Sequence, residues 1–239
     1  MKYILALCLP LAASAAAAAA APSRAWKDSA ELSFVNANGN VKTQTTSAKN
    51  SFSYDFTERT KLELEAGALS ARSEGRVTAE QYYAFEKAMH KVTDRNYLFE
   101  KYRWDRNFFA GILHRHDFSA GVGRELYKTS KDLLIGELAP GYINEERVNE
   151  RRKSFMSARA YAKYTREITA TAKFSQDAEY IVSLKDARDA RLNTETSLTA
   201  AISTMFSVKN SFGWKHDARP PLGKRKDDTI LSVALLATF

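Results

Sequence analysis

The chain has 239 residues, of which 44% are apolar, 27% charged and 11% aromatic, and its formal net charge is +8. Ten Gly and five Pro are too few for a collagen-like or disordered low-complexity chain, and a single Cys excludes a disulfide framework or a multi-cysteine metal site. The mean hydropathy of −0.42 excludes a membrane protein built from apolar helices.

The first 21 residues are predicted to be a cleaved secretory signal peptide. Lys2 precedes an uncharged apolar run, Ile4 to Ala21, that ends in an A-x-A cleavage pattern. A poly-Ala run is a weak membrane anchor, so removal is favoured over an uncleaved anchor helix. Cys8 lies too deep in the run for a lipoprotein site. Residues 22–239 would then be one domain, exported through the Sec pathway.

Short segments of alternating apolar and polar residues follow, separated by polar turns. A period of two predicts strands with one apolar and one polar face. In 80–92 and 96–106 aromatic and charged residues occur on both parities, which leaves the register there open. The clear alternating segments, in chain order, are 50–56, 61–68, 154–164, 168–175, 206–214 and 229–239.

Threonine recurs after these segments at a nearly constant interval. The spacings are 36, 36, 36 and 39 residues, between Thr57, Thr93, Thr129, Thr165 and Thr204. The alternative is chance among abundant threonines, but the interval also fits both ends of the mature chain. Six units of about 36 residues, each with room for two strands and a turn, predict twelve strands.

The connections at the opposite end are predicted to be longer and more charged, among them 108–117, 144–153 and 217–228. Short turns at one end and longer loops at the other, over an even number of strands, are typical of an outer-membrane barrel. Aromatics beside the turns fit a girdle at the lipid–water interface: Phe56, Tyr97, Tyr127, Tyr164 and Phe206.

The end of the chain separates a membrane barrel from a soluble sandwich. Its last residue is aromatic and every second residue before it is apolar, a pattern that bacterial barrel-assembly machinery recognises: Leu231, Val233, Leu235, Ala237 and Phe239. We therefore predict an all-β fold, a transmembrane antiparallel up-and-down barrel of about twelve strands, with both termini in the periplasm.

Four stretches carry a resemblance to a known family: WKDSAELSFVNANGNVKTQT, YTREITATAKFSQDAEY, NSFGWKHDARPP and DDTILSVALLATF. Over Trp26 to Phe239 the chain resembles the salt-induced outer-membrane proteins, a family that includes the YdiY-type proteins of enteric bacteria. The resemblance implies a Gram-negative outer-membrane location and little else. It supplies no catalytic residues, because the activity of the members is uncharacterised.

The histidines offer little catalytic chemistry. His114 and His116 lie near Asn107 and Ser119, and some twelve-stranded barrels are phospholipases that use His, Ser and Asn. No local motif brings a serine within reach of a histidine, and two histidines at i, i+2 do not make a metal site. We expect no enzyme activity, no metal and no cofactor.

The polar strand faces predict the lining of the lumen. Twelve strands lie between the filled interior of eight-stranded barrels and the water-filled channel of sixteen. Candidate lumen residues carry both charges, and the later strands are more basic: Glu63, Glu65, Arg159, Lys163, Lys173, Lys209 and Lys215. The sequence favours a narrow passive pore for small, anionic solutes; the alternatives are a closed, non-conducting envelope barrel and, third, a surface lipase.

Two basic clusters are expected on external loops and are candidate contacts for lipopolysaccharide phosphates. They are Arg151, Arg152 and Lys153, and Lys224, Arg225 and Lys226. The expected partners are outer-membrane lipid, lipopolysaccharide and, during biogenesis, the barrel-assembly machinery. Export argues against nucleic acid, and the oligomeric state stays open.

Overall fold

In a computed structural model the chain forms a closed barrel of twelve strands, described for residues 25–37 and 43–239. Each strand pairs antiparallel with its neighbours in sequence, and β1 pairs with β12, which confirms the predicted all-β architecture. The predicted signal peptide, 1–21, lies outside the described residues. The strands are β1 Trp26–Ala37, β2 Thr43–Asp55, β3 Thr60–Ser73, β4 Arg76–Lys91, β5 Asn96–Asn107, β6 Ile112–Lys128, β7 Asp132–Arg147, β8 Lys153–Glu167, β9 Ala172–Ser183, β10 Ala190–Ala201, β11 Phe206–Asp217 and β12 Asp227–Thr238.

The alternation of the sequence puts apolar side chains outward and polar side chains into the lumen. On β7, Leu138 faces outward and is 64% exposed, whereas its neighbours Glu137 and Ala139 are buried. A soluble protein would bury the leucine and expose the carboxylate. This inverted pattern is the one that a lipid-facing barrel wall requires. The described residues include no helix long and apolar enough to cross a membrane.

The turns, at 56–59, 92–95, 129–131, 168–171 and 202–205, share one local device. The hydroxyl oxygen of a threonine or serine accepts a backbone N–H two or three residues ahead, which closes the turn. Thr57, Thr93 and Thr129 close turns at the places that the sequence predicts. The other two predicted turns are corrected: Thr165 lies within β8 and Thr169 closes that turn, while Ser203 rather than Thr204 closes the last one.

The end of the barrel that holds these turns, together with the start of β1 and the end of β12, is called the turn end. The other is the loop end. Its loops are shorter than predicted, because strands extend into them. The connection expected at 108–117 spans only 108–111, and His114 and His116 lie in β6. The expected connections 144–153 and 217–228 shrink to 148–152 and 218–226.

One member of the predicted aromatic girdle faces the wrong way. Tyr97 points into the lumen and is only 9% exposed, and its hydroxyl donates a hydrogen bond to Glu137 at 2.8 Å. Gly123, opposite it on β6, leaves room for the ring, since a Cβ there would approach Tyr97 Cζ to 2.2 Å.

The closure between β1 and β12 is the shortest ladder of the barrel. It runs from Ser29 opposite Thr238 to Leu32 opposite Leu235. Every other pair of neighbouring strands is in register over at least eleven residues.

Candidate functional site

The lumen holds a cavity of about 910 Å³. Its lining residues run from Lys27 at the turn end to Pro221 at the loop end. Fifteen lysines and arginines line it, against ten carboxylates. The cavity wall is therefore basic, although the buried carboxylates of Glu137 and Glu145 lie behind it and offset part of the excess.

The structure puts all seven predicted lumen residues on the wall of this cavity: Glu63, Glu65, Arg159, Lys163, Lys173, Lys209 and Lys215. Some are neutralised locally. Lys61 Nζ lies 2.8 Å from Glu63, and Lys209 Nζ lies 2.9 Å from Glu195. Others are not: among the described residues, Lys173 and Lys215 have no carboxylate oxygen within 4.0 Å.

A belt of ion pairs crosses the cavity wall on β1 to β4. Lys49 Nζ lies 3.5 Å from Glu31 and 3.2 Å from Glu65. Glu65 also accepts hydrogen bonds from Ser51 at 2.9 Å and from the hydroxyl of Tyr83 at 2.9 Å. These contacts fix the charges on the wall and keep them from moving freely into the cavity.

The lumen beneath β4 to β9 is filled by buried charges, named the ionic core. Lys87 and Arg159 both contact Glu137, whose side chain has no exposed surface. Arg159 Nε also donates to Glu179 at 2.6 Å, and Lys101 Nζ donates to the same carboxylate at 2.8 Å. Each carboxylate thus has two cationic partners, which compensates for the loss of water around it.

A second set of buried charges, the arginine cluster, lies nearer the loop end. Glu145, which is 0% exposed, accepts from Arg115 at 2.5 Å and from Arg191 at 2.9 Å, and it also contacts Arg147. Arg191 has a further partner in Asp217 at 3.4 Å. Three arginines on three strands therefore converge on one carboxylate.

The longest loop at the loop end, 218–226, is named the mouth loop because it crosses the opening of the barrel. It joins β11 to β12, six strands away from the loop 108–111. Pro221 nevertheless lies against that opposite rim, since a Cβ on Gly111 would approach Pro221 Cβ to 2.7 Å. Pro221 also lines the cavity, so the mouth loop forms its roof.

Hydrogen bonds hold the mouth loop to the other loops. The backbone N–H of Leu222 donates to Glu150 at 2.7 Å, and Arg147 donates to the carbonyl oxygen of Arg219 at 3.1 Å. Since Arg147 also contacts Glu145, the roof is connected directly to the arginine cluster.

One further contact of the mouth loop depends on pH. Arg219 Nη1 donates to Asp186, on the loop between β9 and β10, at 2.5 Å. The side chain of Arg188 donates to the same carboxyl and holds its pKa below the usual range. Because the pKa is lowered, this contact is present at neutral pH and is lost only as the pH falls through the lowered value.

The histidines that could suggest a hydrolase do not face a serine. His116 Nδ1 is hydrogen-bonded to the hydroxyl of Tyr102 at 2.7 Å, and His114 Nδ1 accepts from Trp104 Nε1 at 3.2 Å. Ser119 is buried on the other face of β6, toward the lumen. Within the described residues, no three His, Cys, Asp or Glu side chains are grouped to hold a metal ion.

The two basic clusters predicted to contact lipopolysaccharide lie at the loop end but differ in what they contact. Arg152 donates to Glu146 at 2.8 Å, and Lys153 is corrected from a loop residue to the first residue of β8, with Nζ 2.8 Å from Asp189. Arg151 is exposed in the loop before it. In the mouth loop Lys224, Arg225 and Lys226 are all exposed, and Arg225 and Lys226 also line the roof of the cavity.

The predicted C-terminal signal lies along the lipid-facing wall at the turn end. Leu231, Val233, Leu235 and Phe239 are all exposed outward, with Leu231 at 81%. Ala237 shares their parity opposite Ala30 of β1, and the backbone N–H of Phe239 donates to the backbone carbonyl oxygen of Asp28 at 2.9 Å. The terminal residue is thus tied to the first strand.

Sequence patterns did not reveal the ionic core, the arginine cluster or the mouth loop. Lys87 and Glu137 are 50 residues apart, and Arg191 and Glu145 are 46 apart. The available signal was their parity, since each lies on the polar face of its strand. Parity identifies the lumen side but not the partner, which depends on how the strands are staggered around the barrel.

Comparisons with known proteins agree with the barrel. A family model described as "Protein of unknown function, DUF481" matches residues 30–239. The chain is 25% identical over 188 residues to the uncharacterized protein YdiY of Escherichia coli (strain K12), covering 79% of this chain and 73% of that protein.

Solved structures share the fold at very low sequence identity. The COG4313 outer membrane channel from Pseudomonas putida F1 is similar with a TM-score of 0.55 and 11% identity, over 92% of this chain and 97% of that one. The translocator domain of the autotransporter NalP from Neisseria meningitidis gives 0.52 and 10%, over 91% and 89%. The NanC porin gives 0.51 and 10%, over 89% and 97%.

Proposed function

We propose that this chain, which belongs to the DUF481 family, is an outer-membrane barrel whose lumen is a narrow, anion-favouring passage for small hydrophilic solutes and not an enzyme. One observation carries the proposal: a cavity of about 910 Å³ extends along the lumen, and cations exceed carboxylates on its wall. A wall with more positive than negative charge raises the local concentration of anions and lowers that of cations.

The unpaired lysines make this preference effective. Lys173 on β9 and Lys215 on β11 line the cavity without a close carboxylate among the described residues, so their charges are available to a passing solute. Hydroxyl groups between them provide neutral hydrogen-bond partners, among them Ser175, Ser197 and Ser211. This lining suits small hydrated anions better than apolar solutes.

Planar-bilayer recording of the refolded full chain tests the proposal. Under a salt gradient we expect discrete conductance steps and a reversal potential on the anion-selective side. Replacing Lys163→Glu together with Lys173→Glu should shift that potential toward cations, because both side chains line the cavity. Arg59→Glu together with Lys131→Glu, the same change in net charge in exposed turns at the same end, is the control and should leave it unchanged.

The mouth loop and the ionic core favour a second candidate, a non-conducting barrel of the stressed envelope. Buried charges fill the lumen beneath β4 to β9, and the mouth loop covers the cavity at the loop end. Bilayers that stay silent at every salt concentration and voltage would support this candidate and contradict the passage. Conductance steps whose ion selectivity is unchanged by the lysine substitutions would also contradict the proposed passage, because the current would then bypass the cavity.

Lipopolysaccharide is the proposed partner at the loop end, which would face outward from the cell. Arg151, Arg152 and Lys224 are exposed members of the two basic clusters that do not line the cavity, and their side chains suit phosphate groups. Charge reversal of these three should lower the amount of lipopolysaccharide that co-purifies with the barrel. Reversal of Arg59 and Lys131, at the turn end, is the control. Equal co-purification in both would contradict the assignment.

A further inference from the structure

A second concave surface lies on the outside of the barrel, away from the lumen. This wall groove has a volume of about 810 Å³ and spans β5 to β10. Apolar side chains of considerable exposure border it: Leu98, Val122, Leu126, Leu138 and Tyr180. A recess of this size is within the range of small-molecule sites, yet it opens toward lipid.

Laterally paired residues explain why the wall is recessed. Arg124 lies opposite Gly136, which lies opposite Ala162, which lies opposite Ala178. Three small residues therefore follow one arginine across the strands. Leu126 folds over the first of them, since a Cβ on Gly136 would meet Leu126 Cδ1 at 2.9 Å.

Among the residues that the structure describes, Arg124 is the one cation that lines the wall groove, and it faces lipid. It shares its parity on β6 with Phe118 and Val122, which are both exposed outward. Its lateral neighbour on the other side is Asn96, the first residue of β5, so it lies close to the turn end. Among the described residues, no carboxylate lies within 4.0 Å of its guanidinium.

A guanidinium on a lipid-facing wall is costly unless an anion accompanies it. In a bilayer the anion at that depth is the phosphate of a lipid, and arginine binds phosphate with two parallel hydrogen bonds. A second copy of the barrel would instead cover Arg124 with an apolar wall and leave the cation unpaired. Charge complementarity thus selects a lipid as the occupant.

We propose that the wall groove binds one phospholipid from the leaflet at the turn end. Its phosphate contacts Arg124, and one acyl chain lies over Gly136, Ala162 and Ala178. The site is independent of any conduction through the lumen, because it lies on the opposite face of the same strands.

Native mass spectrometry of the full chain, released from phosphatidylglycerol nanodiscs, tests the site. We expect one retained phosphatidylglycerol per barrel and an about tenfold lower retained fraction for Arg124→Gln. Ala162→Phe, whose ring would fill the recess where the acyl chain lies, should lower the retained fraction of phosphatidylglycerol similarly. Two substitutions serve as controls and should retain the lipid: Arg59→Gln in a turn at the same end, and Ala66→Phe on the outward face of β3.

Diacylglycerol added to the nanodiscs distinguishes the phosphate contact from the acyl-chain contact. Diacylglycerol lacks the phosphate, so Arg124→Gln should not change its retention, whereas Ala162→Phe should still lower it. Equal phosphatidylglycerol retention by the wild type and Arg124→Gln would overturn the proposal. A dimer that Ala162→Phe dissociates would also overturn it, since the groove would then be an interface between two copies. Heat-modifiable gel migration verifies that every variant is folded.

Discussion

Replacing Glu145 by Gln is expected to destabilise the barrel far more than its conservative shape suggests. The amide keeps the size of the side chain but removes the charge on which Arg115, Arg147 and Arg191 converge. Glu145 has no exposed surface, so water cannot replace the lost anion. Removing one partner of a buried ion pair costs about 3–5 kcal/mol.

The lower part of that range applies here, because the arginines keep secondary partners. Arg191 remains 3.4 Å from Asp217, and Arg147 remains 3.5 Å from Glu150. We therefore expect a loss of about 3 kcal/mol in the free energy of unfolding. With a urea slope of about 2 kcal/mol/M, the unfolding midpoint should fall by about 1.5 M.

The assay is urea unfolding of the barrel in lipid vesicles, followed by tryptophan fluorescence. Glu63→Gln is the matched control: its partner Lys61 is 39% exposed, and exposed pairs contribute only about 0–1 kcal/mol. Adding Arg191→Gln to Glu145→Gln should recover part of the loss, because one uncompensated cation disappears. A midpoint shift no larger than that of Glu63→Gln would refute the burial of the cluster.

Three shorter predictions address the turns, the roof and the last residue. Thr169→Val should cost about 1 kcal/mol of unfolding free energy and Thr165→Val much less, because only Thr169 closes a turn; urea unfolding measures both. Gly111→Ala should displace the mouth loop and increase single-channel conductance, whereas Gly75→Ala, with a similar positive φ but no neighbour within 4 Å, should not; equal conductances would show that the roof does not limit flow. Phe239→Ser should slow assembly, measured as the heat-modifiable fraction over time in a pulse-chase experiment; an unchanged rate would count against the C-terminal signal.

Local alternation was enough to predict six strand segments and their lipid-facing side, but it left the register of β4 and β5 open. Each side-chain direction follows from parity alone, which is why Leu231 and Lys209 are on the expected faces. The threonine interval also located three turns correctly. It failed at Thr165 because the hydroxyl that closes a turn is defined by its hydrogen bonds, and Thr169 is an equally good candidate four residues later.

Tyr97 and Lys87 illustrate what the sequence could not provide. An aromatic residue beside a turn fits an interfacial girdle, but Tyr97 shares the inward parity of Phe99 on β5, where Gly123 makes space for its ring and Glu137 accepts a hydrogen bond from its hydroxyl. Lys87 reaches the same carboxylate across 50 residues of sequence. Such contacts depend on the stagger of the strands, which strand count and alternation do not determine.

The short ladder between β1 and β12 sets the order in which the barrel can come apart. Leu32 and Leu235 lie on strands from opposite ends of the chain, so no hairpin turn holds this pair of strands together. Four register positions provide only a few hydrogen bonds, of about 1 kcal/mol each, and every other ladder has at least eleven positions. This seam is therefore the least stabilised part of the wall, and we expect amide exchange to be faster along the facing edges of β1 and β12 than in β6 and β7. Unlike a uniform cylinder, the molecule is a curved sheet with one weak seam, along which it would fold last and open first.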